Sequence, residues 1–313
     1  MSGMSTESMP RGRGCVMARA AMALALCACA LALTGCVDQH PERAAQEAGT
    51  YEPRIVVTSP AIADICDRLD LDLAGVPATA SALPDRYAEV AQVGAPMSPD
   101  LETVKSLRPD YIVSPNSLVN DLQPKYASIG EASLFLDLRS VTGLYESVQV
   151  MGDKFNRTGE AQALVDEFES CMEQYRANIP AGEAPRVLLL MGVPGSYVVA
   201  TDKSYAGSLV ALAGGENVYA DRDEDFVNVS TEDMLSRDPD IILRTAHALP
   251  DQVMAAFAEE FETNDIWKHF RAVKEGKVFD LPSDQFGMSA QFNYADALEV
   301  LAPLLYSEGT EGQ

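Results

Sequence analysis

Glu102-Thr103-Val104-Lys105-Ser106-Leu107-Arg108-Pro109-Asp110-Tyr111-Ile112 returns 130 residues later as Glu232-Asp233-Met234-Leu235-Ser236-Arg237-Asp238-Pro239-Asp240-Ile241-Ile242, with Glu, Ser, Pro, Asp and Ile in matching places. Each copy reads as a short helix halted before Pro-Asp and feeding an apolar strand, the unit from which Rossmann-like lobes are built. Around the first copy, β-branched runs alternate with helical patterns: a strand at Ile55-Val56-Val57, a helix over 61–69, strands over 73–77, 111–113 and 133–138. Around the second, strands are expected over 187–191, 197–200, 241–243 and 277–281, with helices over 206–213 and 294–305. Between the copies, 143–179 carries no strand signal. Ala161, Leu164, Val165, Phe168, Met172, Tyr175 and Ile179 recur there at helical spacing, with acidic residues between them. The expectation is an α/β protein of two Rossmann-like lobes joined by a single long α-helix: an N-terminal lobe over 53–142, a connecting helix over 143–180 and a C-terminal lobe over 181–313.

The N-terminus reads as an export signal. Arg11, Arg13 and Arg19 precede a run from Ala20 to Leu33 without charge, too short to span a bilayer comfortably, and the run ends at small residues before Cys36. Leu33-Thr34-Gly35-Cys36 resembles the lipobox of bacterial lipoproteins, which implies a signal peptide over 1–35, diacylation of Cys36 and a polar tether over 36–52. Cys15, Cys27 and Cys29 then leave with the signal. Cys66 and Cys171 remain as buried thiols, with neither a disulfide framework nor metal-ligand spacing. Removing the signal takes away three positive charges and Glu7, so the net charge goes from −24 to −26. Such a surface repels nucleic acid and anionic headgroups, and suits a monomeric body held by lipid at the outer face of the cytoplasmic membrane.

Enzyme signatures are missing: no Gly-x-Gly-x-x-Gly, no phosphate loop, no His-Glu-x-x-His. Gly192-Val193-Pro194-Gly195-Ser196 reads as a turn between strands, and Gly214-Gly215 as a helix C-cap. The informative residues are the scarce ones. His40 falls in the tether, His269 in a short helical pattern, and His247 in a loop just past the strand Ile241-Ile242-Leu243, at the kind of strand end where open α/β sheets bind ligands. Met97 lies in Gly94-Ala95-Pro96-Met97-Ser98-Pro99-Asp100, a Pro-bounded loop in which Ser98 is expected as N-cap and Pro99 as the first helical residue. Met97 and His247 fall in opposite lobes.

At these segments the chain resembles class III substrate-binding proteins, and within them the haem-binding lipoproteins of the iron-regulated surface determinant system. The resemblance covers essentially the whole chain after Cys36. It is carried by the stretch from Val93 to Asp100, by Leu138-Arg139-Ser140-Val141, by the stretch from Leu190 to Tyr197, by Ala246-His247, and by Asn264-Asp265-Ile266-Trp267-Lys268-His269-Phe270. It implies the class III periplasmic-binding-protein fold, haem as the transported ligand, and Met97 and His247 as its two axial iron ligands, a combination haem iron accepts. It also implies a partner, an ABC-importer permease dimer with its ATPase, docked through one acidic residue per lobe. Glu102 and Glu232 occupy equivalent repeat positions and are the expected pair. Arg86 and Tyr87, and the helix N-terminus at Ser59, Ala61 and Ile62, are the expected propionate contacts, the latter through free backbone N–H groups. Met191, Phe286 and Met288 are expected near the pocket, although core packing explains them equally well. A siderophore, cobalamin or other tetrapyrrole carrier is the alternative on the same fold, and such ligands need no Met97–His247 pair. A zinc or manganese carrier fits poorly with so few histidines. A haem-processing enzyme such as a chelatase is the reading from another class.

Overall fold

The structure, a computed structural model, describes residues 52–306; the expected signal, Cys36 and the tether up to residue 51 lie outside these residues. The first half is built on β1 (Ile55–Val57), α1 (Pro60–Arg68), β2 (Leu73–Gly75), a hairpin of β3 (Gly94–Ala95) and β4 (Ser98–Pro99), α2 (Leu101–Ser106), β5 (Tyr111–Pro115), α3 (Val119–Ile129) and β6 (Ser133–Leu136). The parallel sheet runs β2-β1-β5-β6. Its central strands are apolar on both faces because helices cover both: Ile55 and Val57 enter one cluster and Val56 another.

The connector differs from expectation. It is two helices, α4 (Val141–Lys154) and α5 (Thr158–Ala177), separated where Asn156 takes φ 56° and the Arg157 N–H donates to the Gly152 carbonyl at 2.7 Å. One residue in the left-handed region ends an α-helix, and asparagine tolerates that region better than most. Gly152 allows the two helices to pack closely: a Cβ there would sit 2.5 Å from that of Ala161. The amphipathic face read from the sequence is real on α5, where Ala161, Val165 and Met172 are buried.

The second half follows with β7 (Arg186–Val193), β8 (Ser196–Ala200), α6 (Tyr205–Leu212), β9 (Glu216–Asn217), β10 (Phe226–Val227), α7 (Thr231–Ser236), β11 (Ile241–Ala246), α8 (Pro250–Thr263), a 3₁₀ turn at Asp265–His269, α9 (Arg271–Lys274), β12 (Val278–Asp280) and α10 (Tyr294–Tyr306). The sheet order is β10-β8-β7-β11-β12, with β9 beside the start of β7. β7, β11 and β12 are parallel; β8 returns antiparallel to β7 through the Pro194-Gly195 turn, where Gly195 has φ 82°. Gly214, at φ 87°, closes α6 as read from the sequence.

The repeat is structural. Asp110 accepts the Arg54 N–H at 2.7 Å, and Asp240 accepts the Arg186 N–H at 2.8 Å, so each Pro-Asp carboxylate clamps its strand to the start of the neighbouring one. Arg108 and Asp238 hold φ 46° and 44° at the same turn. One continuous apolar cluster runs from the first sheet through α4, α5 and α6 to the second sheet and α10. At its centre Tyr145 stacks on Phe168 at 4.2 Å, Tyr294 meets both edge-on, and Phe292 adds a further edge to Tyr145 and receives the Arg68 guanidinium at 4.1 Å.

Candidate functional site

Parallel strands gather their loops at their carboxyl ends, and that is where Met97 and His247 lie. Beyond β2, residues 91–94 run alongside as an extra edge, with Val76 bonded to Ala91 and Val93, and Ala78 to Gly94. This strap leads past the carboxyl edge of the sheet into the β3–β4 hairpin, with Pro96 and Met97 at its tip. Gly94 makes the turn possible at φ 92°, since a side chain there would meet the Asp100 backbone nitrogen at 2.9 Å. The hairpin corrects the expected cap. Ser98 and Pro99 pair with Gly94 and Ala95, and Asp100 caps α2, accepting the Glu102 and Thr103 N–H groups. Met97 is 70% exposed.

On the second sheet, His247 follows β11 directly and is exposed, its backbone N–H fixed to the Gly192 carbonyl at 3.0 Å. Leu249, two residues on, holds φ 48° and is 52% exposed. For a side chain bearing a Cβ this conformation costs roughly 1–2 kcal/mol. Loop 281–293 leaves the carboxyl end of β12, is bonded to β11 by Leu281 N–H to Arg244 carbonyl and by Thr245 hydroxyl to Phe286 carbonyl, and carries Met288. It then reaches the other sheet, where the Ala290 N–H donates to Leu138, just past β6, at 2.7 Å. Arg139 makes a second bridge: it forks onto Asp137 of its own loop and lies 3.7 Å from Asp225, which precedes β10. The guanidinium holds the Asp137 carboxyl below the usual range, while burial raises that of Asp225. The carboxyl edges of the two sheets are therefore tied together and bracket one cleft.

Large apolar side chains left in water single out this cleft. Among the described residues they are Met97, Val150, Leu249 and Met288. All but Val150 sit on carboxyl-edge loops, one on the first lobe and two on the second. Exposed apolar surface concentrated in a concavity marks a ligand site. At the end of β1, Ser59 precedes α1 in extended conformation and makes no side-chain cap bond. The first turn of α1 contains no acidic residue, and the Ala61 and Ile62 N–H groups, like those of any first turn, have no acceptor within the helix.

Other expected site residues lie elsewhere. Arg86 donates to Asp70 and Asp72 at 2.8 Å each, at the amino end of β2 and thus at the opposite edge of the sheet. Tyr87 is buried and donates its hydroxyl to the Leu71 carbonyl at 2.6 Å. Neither is placed to meet a ligand in the cleft. Met191 and Phe286 are wholly buried in the shared cluster and back the cleft without facing it. His269 closes the 3₁₀ turn, and its carbonyl accepts Lys274. Cys66 is buried as expected; Cys171 is only half-buried. Arg139 was not picked out as a site residue from sequence, because its role as an interlobe bridge depends on Asp225, which is distant along the chain. Glu102 and Glu232 are both exposed, each in the first turn of its repeat helix, on the carboxyl-edge side of its sheet.

Two lobes whose carboxyl-edge loops bracket a single cleft are the architecture of a two-lobed binding protein. Residues 55–285 match the periplasmic binding protein family, and the chain belongs to it. It is 40% identical over 277 residues to the high-affinity haem uptake system protein IsdE of Staphylococcus aureus strain Newman, an alignment covering 88% of this chain and 94% of that one. Among solved structures it resembles an ABC transporter substrate-binding protein from Listeria monocytogenes EGD-e, at 44% identity and TM-score 0.78. It also resembles S. aureus IsdE complexed with haem, at 41% identity and TM-score 0.77. Each of these two comparisons covers 82% of this chain and the whole of the other.

Proposed function

We propose that this protein captures haem in the cleft between its lobes and delivers it to an ABC importer for iron acquisition. The observation that carries the reading is the pairing of an exposed thioether, Met97, on a hairpin of one lobe with an exposed imidazole, His247, at a strand end of the other. Haem iron takes one such ligand on each face of the ring. Met97, Leu249 and Met288 lend the apolar surface a flat macrocycle needs, and burying them under the ligand removes them from water. The propionates then fall to the N-terminus of α1, where the Ala61 and Ile62 N–H groups and the Ser59 hydroxyl are the donors. A thioether is a weak axial ligand, which suits cargo that must be released. The likeness to IsdE in complex with haem supports the same ligand.

Delivery rests on Glu102 and Glu232, which present one carboxylate per lobe to arginines of a two-subunit permease, with its ATPase beyond the membrane. In this reading the protein is a monomer held at the outer face of the cytoplasmic membrane by lipid on Cys36, and it carries out no chemistry on its cargo. Titration with haem, followed by absorbance, tests the ligand: one equivalent should bind, His247→Ala should lose most affinity, and Met97→Ala should weaken binding and shift the spectrum. Unchanged titrations and spectra for both variants would return the choice to a siderophore or cobalamin.

A further inference from the structure

Outside the cleft, the second lobe holds a cavity of about 370 Å³ between the β7–β8 turn and α8, walled by Val193, Tyr197, Val253, Ala256, Phe257 and Glu260. That is the low end of the roughly 300–1,000 Å³ of small-molecule sites, enough for one long side chain. Glu260 is the only acidic residue of the lining. Its Oε1 accepts Asn264 Nδ2 at 2.8 Å, Trp267 Nε1 at 3.0 Å and the Tyr197 hydroxyl at 3.4 Å, so the carboxylate is fixed in place while Oε2 takes none of these bonds. A fixed anion between aromatic and aliphatic walls suits a cation carried on an apolar stem. The cavity adjoins the expected docking point. Val229, also in its lining, lies three residues before Glu232.

We propose that this cavity is a socket for an arginine of the permease. Its guanidinium would end on Glu260 with its plane against Tyr197, while a neighbouring permease cation meets Glu232 at the rim. The inference deepens the docking reading and rests on it. The occupant is taken to be basic because the partner must approach a chain of net charge −24 and the only charge in the socket is negative. Before the helix of Glu102 lies the hairpin bearing Met97.

The test is the affinity of the full chain for the purified permease–ATPase complex in lipid nanodiscs. Ala256→Phe fills the socket from an exposed helix position, and Glu260→Gln removes its charge while keeping an acceptor. Each should weaken the complex about tenfold or more and leave haem titration unchanged, and Glu260→Gln should also reduce the salt dependence. Wild-type affinity for Ala256→Phe, with Glu232→Lys still weakening the complex, overturns the socket alone. Wild-type affinity for Glu102→Lys and Glu232→Lys overturns the docking reading. Should Glu260→Gln lose its fold, as a lowered melting temperature would reveal, Ala256→Phe decides.

Discussion

The two lobes use one unit in two ways. Each has a capped helix, a positive-φ residue before Pro-Asp, and a carboxylate clamping the next strand to the start of its neighbour. In the first lobe the strap before that unit turns into a hairpin that lifts Met97 into solvent. In the second, the strand after the unit ends at His247, and an antiparallel return, β8, leaves a cavity against α8. The shared clamps sit at the amino edges of the sheets, while the shared glutamates, Glu102 and Glu232, and the unshared loops sit at the carboxyl edges. The repeated clamps therefore hold the fold, while the loops that depart from the repeat carry Met97, His247 and the cavity at Glu260.

The comparison is tested most severely through the outer cores. Trp267, completely buried, stacks on Phe261 at 4.1 Å and on Phe270 at 4.8 Å, and has no equivalent in the small first-lobe cluster around Val56 and Ile112. Trp267→Ala should cost about 3–5 kcal/mol in denaturant unfolding. Tyr126→Phe, on the other outer face, should cost about 1 kcal/mol, through loss of the hydroxyl bond to Ser114. Similar losses would mean that the two lobes do not differ in how their outer cores are held.

The clamps come next. Asp240 is held by the Arg186 N–H and by Arg271 at 2.5 Å, whereas among the described residues the Asp110 carboxylate has the backbone bond alone. Burial pushes the Asp240 carboxyl up, but these donors outweigh it and the net shift is downward. A depressed carboxyl contributes stability that is present above the unfolded value, about 3.9, and is lost as pH falls through the lower folded value. Asp240→Asn should therefore destabilise by about 1.5–3 kcal/mol at neutral pH and flatten the acid limb of the stability curve; Asp110→Asn should cost about half as much. Equal costs, or an unchanged acid limb, would contradict the difference between the clamps.

The smallest effect is expected at the interlobe bridge. Arg139 is about half exposed and stands 3.7 Å from Asp225, so Arg139→Met should change global stability by less than about 1 kcal/mol. The lobes are already joined by the aromatic centre of buried Tyr145 and Tyr294 with half-buried Phe168. A loss of several kcal/mol would show that this centre does not carry the junction.

Much of this was legible in the sequence because it is local. Ile55-Val56-Val57 and Ile241-Ile242-Leu243 announce buried parallel strands, Pro-Asp halts each repeat helix, His247 stands out by scarcity and loop context, and Met97 by loop context. What was not legible depends on partners far along the chain or on a single backbone angle. The cap moved from Ser98 to Asp100 because a two-residue hairpin pairing carries no periodicity. The connector broke at one left-handed asparagine. Arg86 was lost to the cleft because Asp70 and Asp72, distant in the chain, hold it at the other edge of the sheet. The cavity at Glu260 exists only once α8 is laid against β7 and β8.

The central claim is that one iron is held by a sulfur from the first lobe and a nitrogen from the second. X-ray absorption at the iron edge of the haem-loaded protein measures this directly. The wild-type chain should show one sulfur scatterer, lost in Met97→Leu, with the imidazole contribution lost in His247→Ala. An iron surrounded only by nitrogen or oxygen in the wild-type protein, unaltered by either substitution, would contradict it.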